Sequence, residues 1–267
     1  MNKDPQEIQL ASAVRVVLMR TTHPGNIGAV ARAMKNMGLN QLCLVNGADE
    51  GSQEARRRAA GAENILESAV VTSSIDEALD GVQLVIGASA RSRKMVWPLM
   101  NPRDCAALIT KNVFKPNSTK PAQVALLFGQ EASGLSNEEL QRCHYHVNIP
   151  AVSDFSSLNL AMAVQLVCYE IRMAMLLDNA SDAPNLLTSS ILSSEDEGWD
   201  EPLAAVEDVE GFFRHLEETL IKIGFHDPKN PRQLMTRLRR LYQRAHLDKM
   251  EVNILRGILS ASQKHTK

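Results

Sequence analysis

Three short segments place small and polar residues beside one or two charged side chains, where strand-like runs end. They span residues 26–32 (N-I-G-A-V-A-R), 128–134 (F-G-Q-E-A-S-G) and 148–159, the last containing N-I-P and S-S-L-N. In open α/β sheets, ligands bind in the crevice beyond the carboxyl ends of the strands. We therefore predict that the three segments form one composite site.

The distribution of glycines limits the ligand of this site. Glycines follow different strands singly, and the chain contains neither G-x-G-x-x-G nor G-x-x-x-x-G-K-[ST]. The sequence therefore argues against a dinucleotide or P-loop site. Backbone groups from several loops suit a mostly neutral, nucleoside-bearing ligand without phosphates.

Arg32 carries the clearest chemical expectation. It lies in a helical pattern between two alanines, one turn after Gly28 and with Lys35 on the same side. A fixed guanidinium suits a phosphate or a developing oxyanion, whereas a solvated helical arginine is the ordinary alternative. Because small residues precede it at the start of the helix, we favour the functional interpretation.

Other polar residues have competing interpretations. Glu131 is either an exposed turn carboxylate or a site group. Ser156 and Ser157 can cap a helix and contact a ligand together, because a helix N-terminus presents free N–H groups. The basic run 56–58 is typical of a solvated face, whereas the run 89–94 follows a strand and enters the same crevice.

Alternating strand-like and helix-like runs must position these residues. A long apolar helix is predicted from Leu158 to about Leu177. Strands that alternate with helices indicate an α/β fold with a mostly parallel, doubly wound sheet. The runs that predict strands are residues 13–19, 41–46, 82–87, 123–128 and 147–149.

Composition divides the chain into three parts. We predict one domain over residues 1–177, an acidic linker over 178–202, and a helical, partly basic extension over 203–267. Ten acidic residues and no lysine or arginine occur in 178–210, whereas 222–249 holds eight lysines and arginines. In a chain of net charge −2, this local basic surface favours contact with a phosphate backbone over a merely soluble helix.

The sequence favours a cytoplasmic protein with no membrane partner. The N-terminus is polar and lacks the apolar region of a signal peptide, and no run approaches about 20 apolar residues. The four cysteines are far apart, which favours buried, reduced thiols. No metal site is predicted, because His144 and His146 have no third ligand nearby.

Taken together, the motifs resemble those of a known family. Asn26-x-Gly-x-x-Ala-Arg32, Phe128-Gly-x-Glu-x-x-Gly-Leu135 and Ile149-Pro … Ser157-Leu-Asn-x-Ala161 are similar, in order and spacing, to the three motifs of the SPOUT (trefoil-knot) RNA methyltransferases. The similarity covers roughly residues 13–177. With the helical tail, the whole chain resembles the bacterial TrmJ-type tRNA 2′-O-ribose methyltransferases.

The resemblance implies a fold and an activity. The expected fold is a mostly parallel sheet with helices on both faces and a C-terminal trefoil knot, plus a small C-terminal helical extension. The expected activity is S-adenosyl-L-methionine-dependent methylation of the ribose of nucleotide 32, a cytidine or uridine, in the tRNA anticodon loop. The expected assembly is a homodimer.

Motif positions assign roles to individual residues by this resemblance. Arg32 takes the position of the catalytic arginine. The expected cofactor pocket comprises Ala88, Ser89, Ala90, Gly129, Ile149, Ser156, Ser157 and Leu158. The residues expected to contact substrate RNA are Asn26, Lys35, Arg91, Arg93, Glu131, Arg239 and Arg240.

The role of the arginine has two versions. The family proposal makes it the general base that takes the 2′-hydroxyl proton. An arginine is effectively always protonated, so we favour Arg32 as an electrostatic partner of the developing 2′-oxyanion that also fixes the adjacent phosphate. Alternatives to the whole assignment are a SPOUT enzyme acting on ribosomal RNA, a non-catalytic RNA-binding member of the fold, and a small-molecule methyltransferase.

Overall fold

The protein forms two compact units, Met1–Ser181 and Asp182–Lys267. The structure is a computed structural model, and nearly all of the predicted acidic linker lies outside the residues that it describes. The described residues are 5–47, 51–89, 98–114, 121–152, 154–178 and 202–265.

The first unit is built on a seven-stranded sheet in which every strand pair is parallel. The strand order is β3-β2-β1-β6-β4-β7-β5. All five residues of β6 are buried, as expected of a central strand covered on both faces. The strands are β1 (Val14–Met19), β2 (Gln41–Val45), β3 (Val70–Thr72), β4 (Leu84–Ala88), β5 (Leu99–Met100), β6 (Val124–Phe128) and β7 (Tyr145–Val147).

Helices connect the strands and pack on the sheet. The largest buried cluster joins side chains of the strands to the inner faces of these helices. The helices are α1 (Pro5–Ala13), α2 (Pro24–Asn36), α3 (Gln53–Ala59), α4 (Glu63–Glu67), α5 (Ile75–Ala78), α6 (Pro102–Val113), α7 (Asn137–Gln141) and α8 (Leu160–Asp178).

The four central strands of the predicted sheet are confirmed, but the prediction is wrong in detail for the outer strands. The first four predicted strands correspond to β1, β2, β4 and β6. The fifth was placed at 147–149, but β7 ends at Val147 and the chain leaves the sheet before Pro150. The sequence also missed β3 and β5, which are edge strands of three and two residues.

Helix α2 is held tightly against α3. It begins with proline at its first position, and Gly38 follows it with φ of 81°, a left-handed conformation that suits glycine at the end of a helix. A β-carbon at Gly28 would lie 2.0 Å from the carbonyl oxygen of Ala55. Gly28 therefore allows two helix backbones to approach.

Helix α8 begins at Leu160, two residues later than predicted. The side-chain oxygen of Asn159 accepts a hydrogen bond from the N–H of Ala161 at 2.9 Å and caps the helix. Ser156 and Ser157 therefore lie in the preceding loop. Among the described residues, one helical segment, Leu160–Leu177, has the length and the apolar composition to cross a membrane. Its inner face packs into the sheet core through Leu160, Val164, Val167, Cys168, Ile171 and Met175.

The second unit consists of three amphipathic helices, α9 (Val206–Lys222), α10 (Leu234–Gln243) and α11 (Lys249–His265). Its core contains Phe212 and Phe213, and the ring of Tyr242 packs edge-on against Phe212 with centroids 4.9 Å apart. Asp248 and Glu251 exchange side-chain-to-backbone hydrogen bonds, which cap the N-terminus of α11.

All four cysteines are buried thiols that form no disulfide, as predicted. Burial raises the pKa of Cys105 and of Cys168 to about 12, so both remain neutral thiols at physiological pH.

Candidate functional site

A cleft opens beyond the carboxyl ends of β4, β6 and β7, where the sequence predicted the composite site. The cleft has a cavity volume of about 130 Å³ and is open to solvent. Every described member of the predicted cofactor set lines this one cleft: Ala88, Ser89, Gly129, Ile149, Ser156, Ser157 and Leu158. Ala90 lies outside the described residues, as do the predicted RNA contacts Arg91 and Arg93.

The three motif segments are joined by a chain of side-chain hydrogen bonds. The Asn26 amide donates to Oε1 of Glu131 at 2.9 Å, and the Asn159 amide donates to the side-chain oxygen of Asn26 at 3.0 Å. The backbone N–H and the hydroxyl of Thr22 donate to Oε2 of Glu131 at 3.2 and 3.3 Å. The prediction included Asn26 and Glu131, but it missed Thr22 and did not assign a role to Asn159.

Glu131 is held in its ionised form. Partial burial alone would raise the pKa of its carboxyl, but hydrogen bonds from Asn26 and from the backbone N–H groups of Thr22 and His23 outweigh this and lower it. Glu131 also lines the cleft, and it is the only ionisable side chain among the described lining residues.

The loop after β6 has a compact shape that requires two glycines. A β-carbon at Gly129 would lie 2.0 Å from the carbonyl carbon of Gly134. Gly134 has φ of 69°, and its N–H donates to the carbonyl of Gln130 at 2.7 Å. The closed loop presents the Glu131 carboxylate and backbone groups to the cleft.

Arg32 lies on the exposed side of α2 and does not line the cleft. It is six residues beyond Asn26, about 9 Å along the helix axis. Within the described part of the chain, its guanidinium has no hydrogen-bond or ion-pair partner. It is therefore available to a ligand that approaches from outside the cleft.

Two predicted RNA contacts are engaged within the protein. The Lys35 ammonium donates to the carbonyl of Gly61 at 2.6 Å and to the side-chain oxygen of Asn64 at 2.7 Å. The Arg239 guanidinium makes two hydrogen bonds to Glu210, at 2.6 and 2.9 Å. For both residues we propose a structural role in place of the predicted RNA contact.

Arg239 and Arg240 occupy neighbouring positions on α10. Arg239 also lies over the ring of Phe213, 4.5 Å from its centroid, and Arg240 is half-buried.

The two histidines considered as metal ligands make hydrogen bonds within the sheet region. The ring Nδ1 of His144 accepts from the N–H of Val85 at 3.0 Å. A ring nitrogen of His146 lies 3.2 Å from the carbonyl oxygen of Leu140. These histidines support the β4–β7 region, and no group of three metal-binding side chains occurs among the described residues.

Two family models match this chain and define its class. A model of the SpoU rRNA methylase family matches residues 13–169, and a model of the TrmJ C-terminal domain matches residues 207–267. The tRNA (cytidine/uridine/adenosine-2′-O-)-methyltransferase TrmJ of Pseudomonas aeruginosa (strain UCBPP-PA14) is 49% identical, with 94% of each chain covered. The tRNA (cytidine/uridine-2′-O-)-methyltransferase TrmJ of Pectobacterium atrosepticum is 46% identical, covering 94% of this chain and 97% of the relative.

Solved structures agree. TrmJ from Z. mobilis ZM4 has a TM-score of 0.75 and 30% identity, covering 93% of this chain and 98% of that one. A probable methylase family protein from Haemophilus influenzae Rd KW20 has a TM-score of 0.58 and 43% identity, with 94% and 96% covered. The chain belongs to the SpoU methylases and, within them, to the TrmJ family of tRNA methyltransferases. The trefoil knot follows from its likeness to the solved relatives.

The family depends on S-adenosylmethionine, and the described cleft fits that cofactor. The lining combines apolar side chains such as Leu135, Val147 and Leu160 with the hydroxyls of Ser89 and of the serine pair before α8, a mixture that suits a nucleoside. The Glu131 carboxylate provides a negative charge for a cationic ligand.

Proposed function

We propose that this protein methylates the 2′-hydroxyl of nucleotide 32 in the anticodon loop of tRNA, using S-adenosylmethionine. The single observation that carries the proposal is the cleft in which all described members of the expected cofactor set meet. The names of the TrmJ relatives support tRNA as substrate and ribose as target. The nucleotide position rests on the motif resemblance.

The cleft residues bind and orient the cofactor. When bound, S-adenosylmethionine supplies an electrophilic methyl group on a sulfonium. The compact loop at Gly129 and the backbone before α8 would hold the nucleoside portion, and Glu131, the ionisable side chain among the described lining residues, would complement the positive charge. Holding the methyl group in line with an incoming hydroxyl provides a large part of the acceleration through proximity.

Arg32 acts on the RNA side of the reaction. Its guanidinium, which is exposed and has no partner among the described residues, binds the phosphate next to the target ribose and stabilises negative charge that develops on the 2′-oxygen. A guanidinium stays protonated, so this electrostatic role fits its chemistry better than that of a general base. The hydroxyl proton leaves to solvent or to a phosphate oxygen.

The enzyme works as a cytoplasmic homodimer in this proposal. The outer face of α8 carries exposed apolar side chains spaced by four, three and seven residues: Met162, Leu166, Tyr169 and Leu176. An apolar stripe of this spacing suits a partner helix. Because the inner face of α8 is already buried in the core, a second copy of the chain is the proposed occupant of the outer face.

Mass-spectrometric mapping tests the proposed activity. The protein is incubated with S-adenosylmethionine and unmodified tRNA carrying cytidine, uridine or adenosine at position 32, with a ribosomal RNA fragment in parallel. We expect one ribose methyl group, at nucleotide 32 of tRNA. Methylation of the ribosomal fragment alone would favour the rRNA alternative, and cofactor binding without any RNA product would favour the non-catalytic one.

A further inference from the structure

The basic run on α3 lies against the helix that carries Arg32. Gly28 brings the backbones of α2 and α3 together, and Ala55 and Ala59 form the buried side of α3. The two helices are therefore fixed relative to each other, so side chains on the flank of α3 have a defined position beside α2.

The three arginines of α3 have different surroundings. Arg56 donates to Glu67 at 3.2 Å and to the carbonyl of Gly51 at 3.3 Å. Arg57 and Arg58 are exposed and have no ion-pair or hydrogen-bond partner among the described residues. At about 100° per residue, Arg57 points away from the buried side that Ala55 marks, whereas Arg58 lies on its flank.

Arg58 lies beside the first turn of α2. Its Cγ is 3.6 Å from the position that a β-carbon on Gly25 would occupy. Gly25 directly precedes Asn26, which is hydrogen-bonded to Glu131 at the cleft. Arg32 is seven residues after Gly25, so it lies on the same face of α2 about 10 Å further along the axis.

Glu54 is the one described carboxylate that lies next to Gly25 together with Arg58. Its Oε1 is 2.8 Å from the position of a Gly25 β-carbon, and no ion pair joins it to Arg58 among the described residues. Arg58 and Arg32 thus offer two unpaired guanidinium groups along one seam between α2 and α3, with one carboxylate beside the first of them.

We propose that Arg58 binds a phosphate of the substrate RNA, next to the phosphate held by Arg32, so that the α2–α3 seam guides the RNA backbone toward the cleft. The proposal rests on the proposed function for its substrate. A planar guanidinium with no internal partner is suited to bidentate phosphate binding. Arg57, on the outer face of the same helix, makes no such contact.

Binding of unmodified tRNA, measured by fluorescence anisotropy across a salt series, tests this inference separately from methyl transfer. Arg58→Ala is expected to weaken tRNA binding about fivefold or more and to reduce the salt slope by about 0.7–0.9, the contribution of one phosphate contact. Arg58→Lys should retain part of the affinity. Glu54→Gln should strengthen binding, because it removes a neighbouring negative charge.

Arg57→Ala is the matched control, since it removes the same charge from the same helix without removing the proposed contact. We expect its tRNA affinity, and the cofactor affinity of both variants, to stay within about twofold of the wild type. Equal losses in Arg57→Ala and Arg58→Ala, or wild-type binding by Arg58→Ala, would overturn the inference. If the wild-type protein bound tRNA but did not methylate it, that result would instead count against the proposed function.

Discussion

At the scale of single residues, Glu131 connects the cofactor cleft to the helix of Arg32. It accepts hydrogen bonds from Thr22 and Asn26, and Asn26 is in turn bonded to Asn159. One carboxylate therefore holds three chain segments in register. Removing its charge should disturb both the fold and the site.

Glu131→Gln should destabilise the first unit by about 1 kcal/mol at pH 7, because the amide cannot accept from all the same donors. The pKa of Glu131 is lowered in the folded protein, so its ionised form stabilises the fold above the usual carboxyl range. That stabilisation is lost as pH falls through the lowered pKa. Urea unfolding of both proteins between pH 7 and pH 3 should therefore show a difference that shrinks at low pH. A constant difference would contradict this role.

At the scale of elements, an ion pair ties the loop after β1 to α7. The Arg20 guanidinium donates to both carboxylate oxygens of Glu139, one of them at 3.1 Å, and Glu139 also accepts from the N–H of Ser136 at 2.7 Å. The Glu139 side chain is 7% exposed and that of Arg20 is 39% exposed. The same Ser136 and Glu139 form a capping box at the start of α7.

Arg20→Ala should cost about 1–3 kcal/mol of folding free energy, because it leaves a buried carboxylate with one backbone donor. Arg103→Ala is the control, since its pair with Glu170 has a largely exposed arginine and should contribute at most about 1 kcal/mol. Thermal and urea unfolding measure both. Similar losses in the two variants would argue against a special role for the Arg20 pair.

The sequence predicts elements well where burial produces a pattern. The four central strands are buried runs of about five residues, so their apolar character is visible without knowledge of their neighbours. Strand β3 has two exposed valines and β5 has two residues, so pairing with a neighbouring strand defines them instead. The Asn26–Glu131 and Asn26–Asn159 contacts span 105 and 133 residues, and spacing cannot reveal them.

The sequence predicted those site residues whose position in a motif determines where their backbone lies in the fold. Ala88, Ser89, Gly129 and Ile149 line the cleft because they lie at or just beyond the carboxyl ends of strands, and Ser156, Ser157 and Leu158 do so because they lie just before α8. Lys35 and Arg239 were harder, because their charge suggested RNA while their partners, Asn64 and Glu210, lie on other elements. A basic side chain in sequence does not reveal whether it is already paired.

At the scale of the whole molecule, the outer apolar face of α8 is the basis for the proposed dimer. Leu166→Asp should convert a dimer into monomers at micromolar concentration, because it places a charge in the proposed contact. The fold should persist, since Leu166 is 42% exposed. Sedimentation velocity measures the change. Ile8→Asp is a matched control on α1, where an apolar residue that is 54% exposed lies outside the stripe, and it should leave the dimer intact. A monomeric wild type would refute the dimer.

In the proposed mechanism the cleft binds the cofactor while Arg32 acts on the RNA. Arg32 does not line the cleft, so the two functions should separate in one variant. The most direct measurement compares Arg32→Ala with the wild type, by methyl transfer to tRNA and by calorimetric titration with S-adenosylmethionine. We predict that methyl transfer is abolished while cofactor affinity stays within about twofold of the wild type. Loss of cofactor binding together with activity, or unchanged methyl transfer, would contradict the account.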